Sequence, residues 1–230
     1  MKKKIAILTG AGISAESGIK TFRGAGGLWE GHKVEDVASP GGWYRNRELV
    51  LKFYNERRAQ LHTVFPNAAH KALAELDEDF EVCVITQNVD DLHERGGSKR
   101  VLHLHGELLK ARSTVNPSLV YDWPGDINLG DQCDEGSQLR PHIVWFGEAV
   151  PMLDPAIQIT ALSDYFIIIG TSMQVYPAAS LIEYVRPEVP KFFIDPYPQV
   201  NQSHYKNLEI IEKKATDGVP ELVNLLKKES

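Results

Sequence analysis

The chain has 230 residues, enough to bury one sizeable core with a small inserted lobe and without a second independent domain. Hydrophobic residues make up 43% and charged residues 24%, ordinary for a soluble globular protein, and no apolar run approaches bilayer-spanning length. The formal net charge of −6 gives no electrostatic case for nucleic acid or an anionic membrane as partner, and leaves a basic, protein-borne substrate unrepelled.

The basic start, Met1 to Lys4, runs into an apolar stretch far too short for a signal peptide, so Ile5 to Thr9 is read as a first strand and the cytoplasm is expected. That strand enters Gly10-Ala-Gly-Ile-Ser-Ala, a G-x-G-x-x-A turn that lets backbone N–H groups approach a pyrophosphate at a helix start. Glycine-rich turns also follow strands for steric reasons alone, so the signal is weak by itself. A nicotinamide oxidoreductase of this pattern should carry an acidic residue closing a second strand about twenty residues on. Residues 23–32 are glycine-rich instead, with no strand for Glu30 to terminate, which counts against hydride transfer. The segment Thr21 to Trp29 reads either as a loop closing over a phosphate-bearing ligand, with Arg23 toward phosphate and Phe22 over a ring, or as a surface loop anchored by Phe22 and Trp29.

Asn46 to Val64 has helical periodicity, with Val50, Phe53, Tyr54, Arg57 and Leu61 on one face. Arg57 is the odd member: it either snorkels to water or lines a cavity and awaits an anion. Pro66-Asn67 caps a helix from Ala68 to Leu76, in which His70 is read as packing or surface rather than a ligand. Val82 to Thr86 reads as a buried strand holding Cys83 as a core residue, and Gln87, Asn88 and Asp90 follow at its carboxyl end, where α/β sheets bind ligands. A second short strand, Val101 to Leu104, delivers His105 beside Gly106, and an imidazole near an amide and a carboxylate is suited to moving a proton. The bland alternative is a turn of satisfied polar groups. From Leu108 to Leu139 turn signals dominate, as in an inserted irregular lobe, with Cys133 in a polar loop. A strand resumes over Arg140 to Glu148. Another, Tyr165 to Gly170, precedes Thr171 and Ser172, small hydroxyls suited to phosphate or ribose. Lys191 to Asp195 is a further strand, and Val219 to Lys228 a closing helix with Pro220 in its first turn and Leu222, Leu225 and Leu226 on one face. The alternation gives an α/β fold with a doubly wound, Rossmann-like parallel sheet and a smaller lobe formed by insertions. The large lobe is placed at approximately 1–30, 66–106 and 141–230, and the small lobe at approximately 31–65 and 107–140.

The ordered blocks GAGISAESGI, TFR, QNVDDLHERGG, HLHGEL, RPHIVWFGE and GTS closely resemble the sirtuins, the NAD-dependent protein-lysine deacylases, over essentially the whole chain. The segment Phe53 to Arg58 looks like the bacterial and mitochondrial branch that removes negatively charged acyl groups. The resemblance implies that Gly10, Ala11, Gly12, Ser14 and Arg23, with Gly170, Thr171 and Ser172, hold NAD, and that Phe22 shields the reacting ribose carbon, Trp29 lying with them. It implies that Asp90 grips the nicotinamide carboxamide, that Gln87 and Asn88 address the ribose hydroxyls, and that His105 is the general base, with Asn88 counted beside it as catalytic. The acyl oxygen of a modified lysine would attack the ribose carbon as nicotinamide departs, giving free lysine, nicotinamide and O-acyl-ADP-ribose. Tyr54 and Arg57 would hold a succinyl or malonyl carboxylate, with acetyl also removed. Val144, Phe146 and Gly147, with Met173 to Tyr176, would flank the substrate peptide as added strands.

Departures from the family pattern carry expectations too. Most sirtuins hold the small lobe with four cysteines on zinc, whereas Cys133 alone stands here, so no zinc is expected and Val120, Trp123, Leu129 and Leu139 are expected to pack the lobe. Asp195 stands where asparagine usually contacts the adenosine ribose, Ala215 is expected near the adenine, and Lys20-Thr21 replaces a Pro-Asp pair. The partners expected are acylated lysines of proteins, acting on a monomer with neither nucleic acid nor membrane. The competing readings are a nicotinamide-dependent oxidoreductase and a non-catalytic module binding NAD or ADP-ribose.

Overall fold

The computed structural model describes residues 2–20 and 28–228, so the expectations for Phe22 and Arg23 lie outside the described residues. In chain order the strands are β1 (Lys4–Thr9), β2 (Leu28–Trp29), β3 (His32–Lys33), β4 (Glu81–Thr86), β5 (Val101–His103), β6 (Gly106–Ser113), β7 (Val120–Asp122), β8 (Leu139–Ile143), β9 (Tyr165–Ile169), β10 (Lys191–Ile194) and β11 (Leu208–Ile211). The helices are α1 (Val34–Val37), α2 (Pro40–Arg45), α3 (Arg47–Leu61), α4 (Ala68–Glu75), α5 (Leu92–Arg95), α6 (Leu153–Ala161) and α7 (Ala215–Lys228).

The main sheet has six parallel strands in the order β11-β10-β9-β1-β4-β5. Its central strands are apolar on both faces, as strands covered from both sides must be. One face, carrying Ile5, Ile7, Val84 and Ile167, packs on α4 and α7. The other, carrying Ala6, Leu8, Ile85 and Ile168, packs on α6 and the 3-10 turn Ala178–Tyr184. Because β4 and β5 lie on one side of β1 while β9, β10 and β11 lie on the other, the strand order reverses at β1. The connections leaving the carboxyl ends of β1 and β9 therefore run toward opposite faces, the place where α/β sheets form a ligand-binding crevice. This is the expected doubly wound α/β fold.

The insertion is more regular than its sequence suggests. Strands β7, β6 and β8 form an antiparallel sheet, so the strand resuming near Arg140 joins the small sheet rather than the large one. It stops at Ile143 because Trp145 to Glu148 turn back, with Glu148 N–H donating to the Trp145 carbonyl and Gly147 at φ 91°. Ile127, Cys133, Leu139, Leu108 and Ala111 form the lobe's core against α3, with Trp123 packed at its margin. Val120 and Leu129 are exposed, which corrects the expected packing set. The Cys133 thiol is likewise buried within its polar loop, donating to Ser113 Oγ at 3.3 Å.

One helix start differs from expectation and one agrees with it. Helix α7 starts at Ala215, because Asp217 and Gly218 N–H groups already close a first turn on the Lys214 carbonyl, and Pro220 therefore sits inside it. Leu222 and Leu226 face the core with Val219 and Val223, while Leu225 is exposed. Helix α4 begins as expected at Asn67, and His70 completes a capping box: its Nδ1 accepts the Asn67 N–H at 3.3 Å.

Candidate active site

The crevice floor is knitted by backbone. Gly10 N–H donates to the Ile169 carbonyl at 3.0 Å and Gly12 N–H to the Gly170 carbonyl at 2.8 Å. A Cβ on Gly12 would lie 2.6 Å from Gly170 Cα, so the glycine is required for the approach of two loops. Both amides are therefore spent within the protein, which corrects the expectation that the Gly-x-Gly N–H groups point at an anion. Across the crevice, Gln87 Nε2 donates to Thr171 Oγ1 at 3.1 Å, tying the end of β4 to the end of β9. Ser172 beside it is exposed.

Behind this floor lies a buried polar cluster. Ser14 Oγ donates to Asp90 Oδ2 at 3.1 Å and accepts from Asn88 Nδ2 at 3.2 Å. Asp90 Oδ1 accepts the Leu92 N–H at 3.1 Å. His70 Nδ1 is committed as an acceptor by the capping box, so its Nε2–H faces Ser14 Oγ at 3.5 Å. Burial pushes Asp90 up to about 6 against the pull of its Leu92 and Ser14 hydrogen bonds, and pushes His70 down to about 4. Asn88 is anchored further by its N–H on Thr86 Oγ1 at 3.0 Å.

His105 stands beyond the end of β5 with Nδ1 3.1 Å from the Gln87 carbonyl. A carbonyl only accepts, so Nδ1 carries the proton and Nε2 keeps its lone pair. Burial holds the ring's pKa below the ordinary histidine value, which the Gln87 bond only partly offsets, so the ring is neutral at pH 7 and equipped as a base.

Helix α3, packed on β6 and β8, carries Tyr54 and Arg57. Tyr54 is fully buried and its hydroxyl oxygen accepts from Trp145 Nε1 at 3.1 Å, while its ring meets Phe53 and Trp29 edge-on. The Arg57 guanidinium carbon lies over the Phe53 ring, 3.2 Å from its centroid, and 5.8 Å from that of Trp29. One of its nitrogens donates to the Phe53 carbonyl, its Glu56 contact is a loose 3.9 Å, and its buried Nε has no hydrogen-bond partner among the described residues. Burial pulls its pKa down. Trp145 is held in turn by Arg140, whose guanidinium stacks 3.2 Å from its ring centroid and bonds Glu148 at 2.7 and 3.1 Å. Glu148 also receives Arg112 at 3.1 Å and the Trp145 N–H at 2.8 Å.

The peripheral residues sort differently. Val144 and Phe146 donate their N–H groups to the carbonyls of His105 and Ala38, and with Gly147 they lie in coil rather than in a strand. Asp195 ends β10 and accepts the Tyr197 N–H at 2.8 Å. Ala215 is buried in the core at the start of α7. The residues do not fit a structural zinc: Cys83 is in the main sheet, Cys133 is the small lobe's one thiol, and no cluster of three His, Cys, Asp or Glu able to hold a metal occurs among the described residues.

No individual role followed from the sequence for Trp145, Arg140, Glu148, His103 and Arg58, although Trp145 and Glu148 lie in the segment expected to flank the substrate peptide. Arg58, rather than Arg57, is the fully buried arginine of α3, donating to the Leu108 carbonyl and Asn55 Oδ1. The spacing Asn67-x-x-His70 was the available signal for the cap behind Ser14.

Comparison with known proteins identifies the family of the chain. Residues 10–177 match the Sir2 family model. A Helicobacter pylori protein named NAD-dependent protein deacylase is 56% identical over 222 residues, 96% of either chain. One of the same name from Bacteroides thetaiotaomicron is 50% identical over 97% of this chain and 98% of its own. A solved Sir2 homologue in complex with NAD superposes with a TM-score of 0.87 at 39% identity, covering 99% of this chain and 91% of that one. The family model spans most of the chain and these relatives match nearly all of it, so the chain belongs to the Sir2 family.

Proposed function

We propose that the protein is an NAD-dependent protein-lysine deacylase that favours acyl groups ending in a carboxylate. The observation that carries the reading is His105, whose Nδ1–H on the carbonyl of Gln87, the residue before Asn88, leaves Nε2 its lone pair at the carboxyl edge of the sheet. In this reading Gly10, Ala11, Gly12, Ser14, Gly170, Thr171 and Ser172 line the dinucleotide crevice, with Phe22, Arg23 and Trp29 closing over it. Asp195 and Ala215 serve the adenosine end. When bound, NAD supplies an activated ribose carbon whose nicotinamide is a good leaving group.

The chain's own residues then have defined tasks. Asp90, fixed through both oxygens, offers an acceptor for a carboxamide N–H. Asn88 and Gln87 orient ribose hydroxyls, and His105 Nε2 takes a hydroxyl proton. Phe146 and Gly147, with Val144, form one side of the peptide groove. The acyl preference is supported by Arg57: a partly desolvated guanidinium with an unpartnered Nε is costly alone, and an acyl carboxylate would offset that cost. Tyr54, its oxygen already accepting from Trp145, has its own O–H left to donate. The same reading makes the protein a cytoplasmic monomer whose small lobe is packed without zinc.

The test is mass spectrometry of acetyl-, succinyl- and unmodified-lysine peptides incubated with NAD. Turnover of the succinyl peptide above the acetyl one is expected, and Arg57→Met should lower succinyl kcat/KM by about 10- to 100-fold, the worth of one charge-assisted pair. Equal losses on both peptides would remove the acyl preference, and no turnover of either would remove the deacylase reading.

A further inference from the structure

Two histidines project from the end of β5 and grip consecutive carbonyls of one loop. His105 Nδ1 meets the Gln87 carbonyl at 3.1 Å, and His103 Nδ1 meets the Asn88 carbonyl at 3.0 Å. They differ on the far side of the ring. His103 Nε2 lies 2.8 Å from Glu94 Oε1 on α5, and its side chain is only 8% exposed. A carbonyl and a carboxylate both only accept, and a neutral imidazole has one N–H, so both bonds exist together only in the imidazolium. We propose that His103, as an imidazolium bridging Glu94 and the Asn88 carbonyl, is a positioning residue that holds Asn88 in place for the deacylation reaction.

The arrangement gives Asn88 three anchors from three elements: Thr86 Oγ1 on its N–H, Ser14 Oγ on its amide, and His103 on its carbonyl. Loss of the His103 proton leaves one N–H, which the Glu94 carboxylate retains as the stronger acceptor. The bare Nδ1 lone pair then faces the Asn88 carbonyl and repels it. The groups facing His103 all bear on its charge. Burial opposes protonation most strongly, but Glu94 from α5, the Asn88 carbonyl from the loop and Glu107 from β6 together hold it above the ordinary histidine value. The His103 charge in turn lowers the pKa of Asp90 and of His93, and Lys110 of β6 acts on Glu94. Thus one strand end supplies a neutral base at His105 and a cation at His103, set apart by a single carboxylate.

The inference rests on the deacylase reading for its kinetic arm and not for its spectroscopic one. Nitrogen-15 NMR of the imidazoles should show both His103 nitrogens protonated at pH 7, and a neutral ring there would overturn the proposal whatever the enzyme does. Glu94→Gln keeps an acceptor for Nε2–H and removes the charge. It should move the His103 titration and the alkaline limb of kcat together to lower pH, by about one unit or more. His103→Gln, with one amide in place of the imidazolium, should remove that limb while leaving the acid limb in place. An alkaline limb unmoved in both variants overturns the positioning role. If no peptide is turned over by the wild type at any pH, the deacylase reading fails while the NMR titration still decides the charge.

Discussion

Replacing Asp90 by asparagine should stabilise the protein while abolishing its activity, and the gain should depend on pH in a calculable way. Asp90 titrates near 3.8 in the unfolded chain and near 6 in the folded one, chiefly because burial disfavours its charge. The raised folded value means that the native state binds the proton more tightly, so this group costs stability progressively as pH rises from about 4 to above 6. The full cost, about two pKa units at 1.36 kcal/mol each, is about 3 kcal/mol at pH 8. At pH 4.5 the unfolded carboxyl is already largely ionised and the cost is only about 1 kcal/mol. The difference in unfolding free energy between Asp90→Asn and wild type, from urea melts at the two pH values, should therefore widen by about 2 kcal/mol in favour of the variant. Any mismatch that the new amide makes with Ser14 or Leu92 does not titrate and cancels between the two. A difference that is flat with pH, or that narrows toward pH 8, would refute the claim that a buried carboxylate is held ionised against its surroundings.

Trp145→Phe should leave the fully buried Tyr54 hydroxyl without its donor, costing about 1–3 kcal/mol in urea unfolding, and should lower succinyl turnover more than acetyl turnover. Gly12→Ala places a methyl 2.6 Å from Gly170 Cα, so about 1–3 kcal/mol of destabilisation is expected, with a matching fall in thermal midpoint by calorimetry. Treatment with a strong chelator should leave the thermal midpoint unchanged, and elemental analysis should find well under one zinc per chain. A stoichiometric zinc would sink the packed-lobe account. Arg58→Met should destabilise by several kcal/mol on the scale of a broken buried polar contact, because Asn55 and the Leu108 carbonyl both lose their donor.

The parallel strands were readable because each is buried on both faces and so spells an unbroken apolar run, as in Val82 to Ile85 and Phe166 to Ile169. The carboxyl-end residues Gln87, Asn88, Asp90 and His105 followed from where those runs stop. Strand β6 was not readable in the same way: Glu107, Lys110 and Arg112 interrupt its pattern, and one of its two partners, β8, begins only at Leu139. Adjacent Arg57 and Arg58 lie 100° apart on the helix, and the sequence did not tell which one the small lobe covers. The Trp145–Tyr54 bond and the His103–Glu94 bridge join residues whose neighbourhood exists only once the chain has folded. The glycine turn misled in one respect, since spacing says that an amide is near and not which acceptor has claimed it.

Helix α3 presents Tyr54 and Arg57 to one side while Asn55 and Arg58, the residues between and beside them, fasten it to Ile127 and Leu108 of the small lobe. Tyr54 and Arg57 are thereby riveted to the insertion, and Trp145, which bonds the Tyr54 hydroxyl, hangs from the same insertion through Arg140. Any rocking of that lobe relative to the parallel sheet would therefore carry Tyr54, Arg57 and Trp145 together, and the Val144 N–H on the His105 carbonyl links that unit to the histidine.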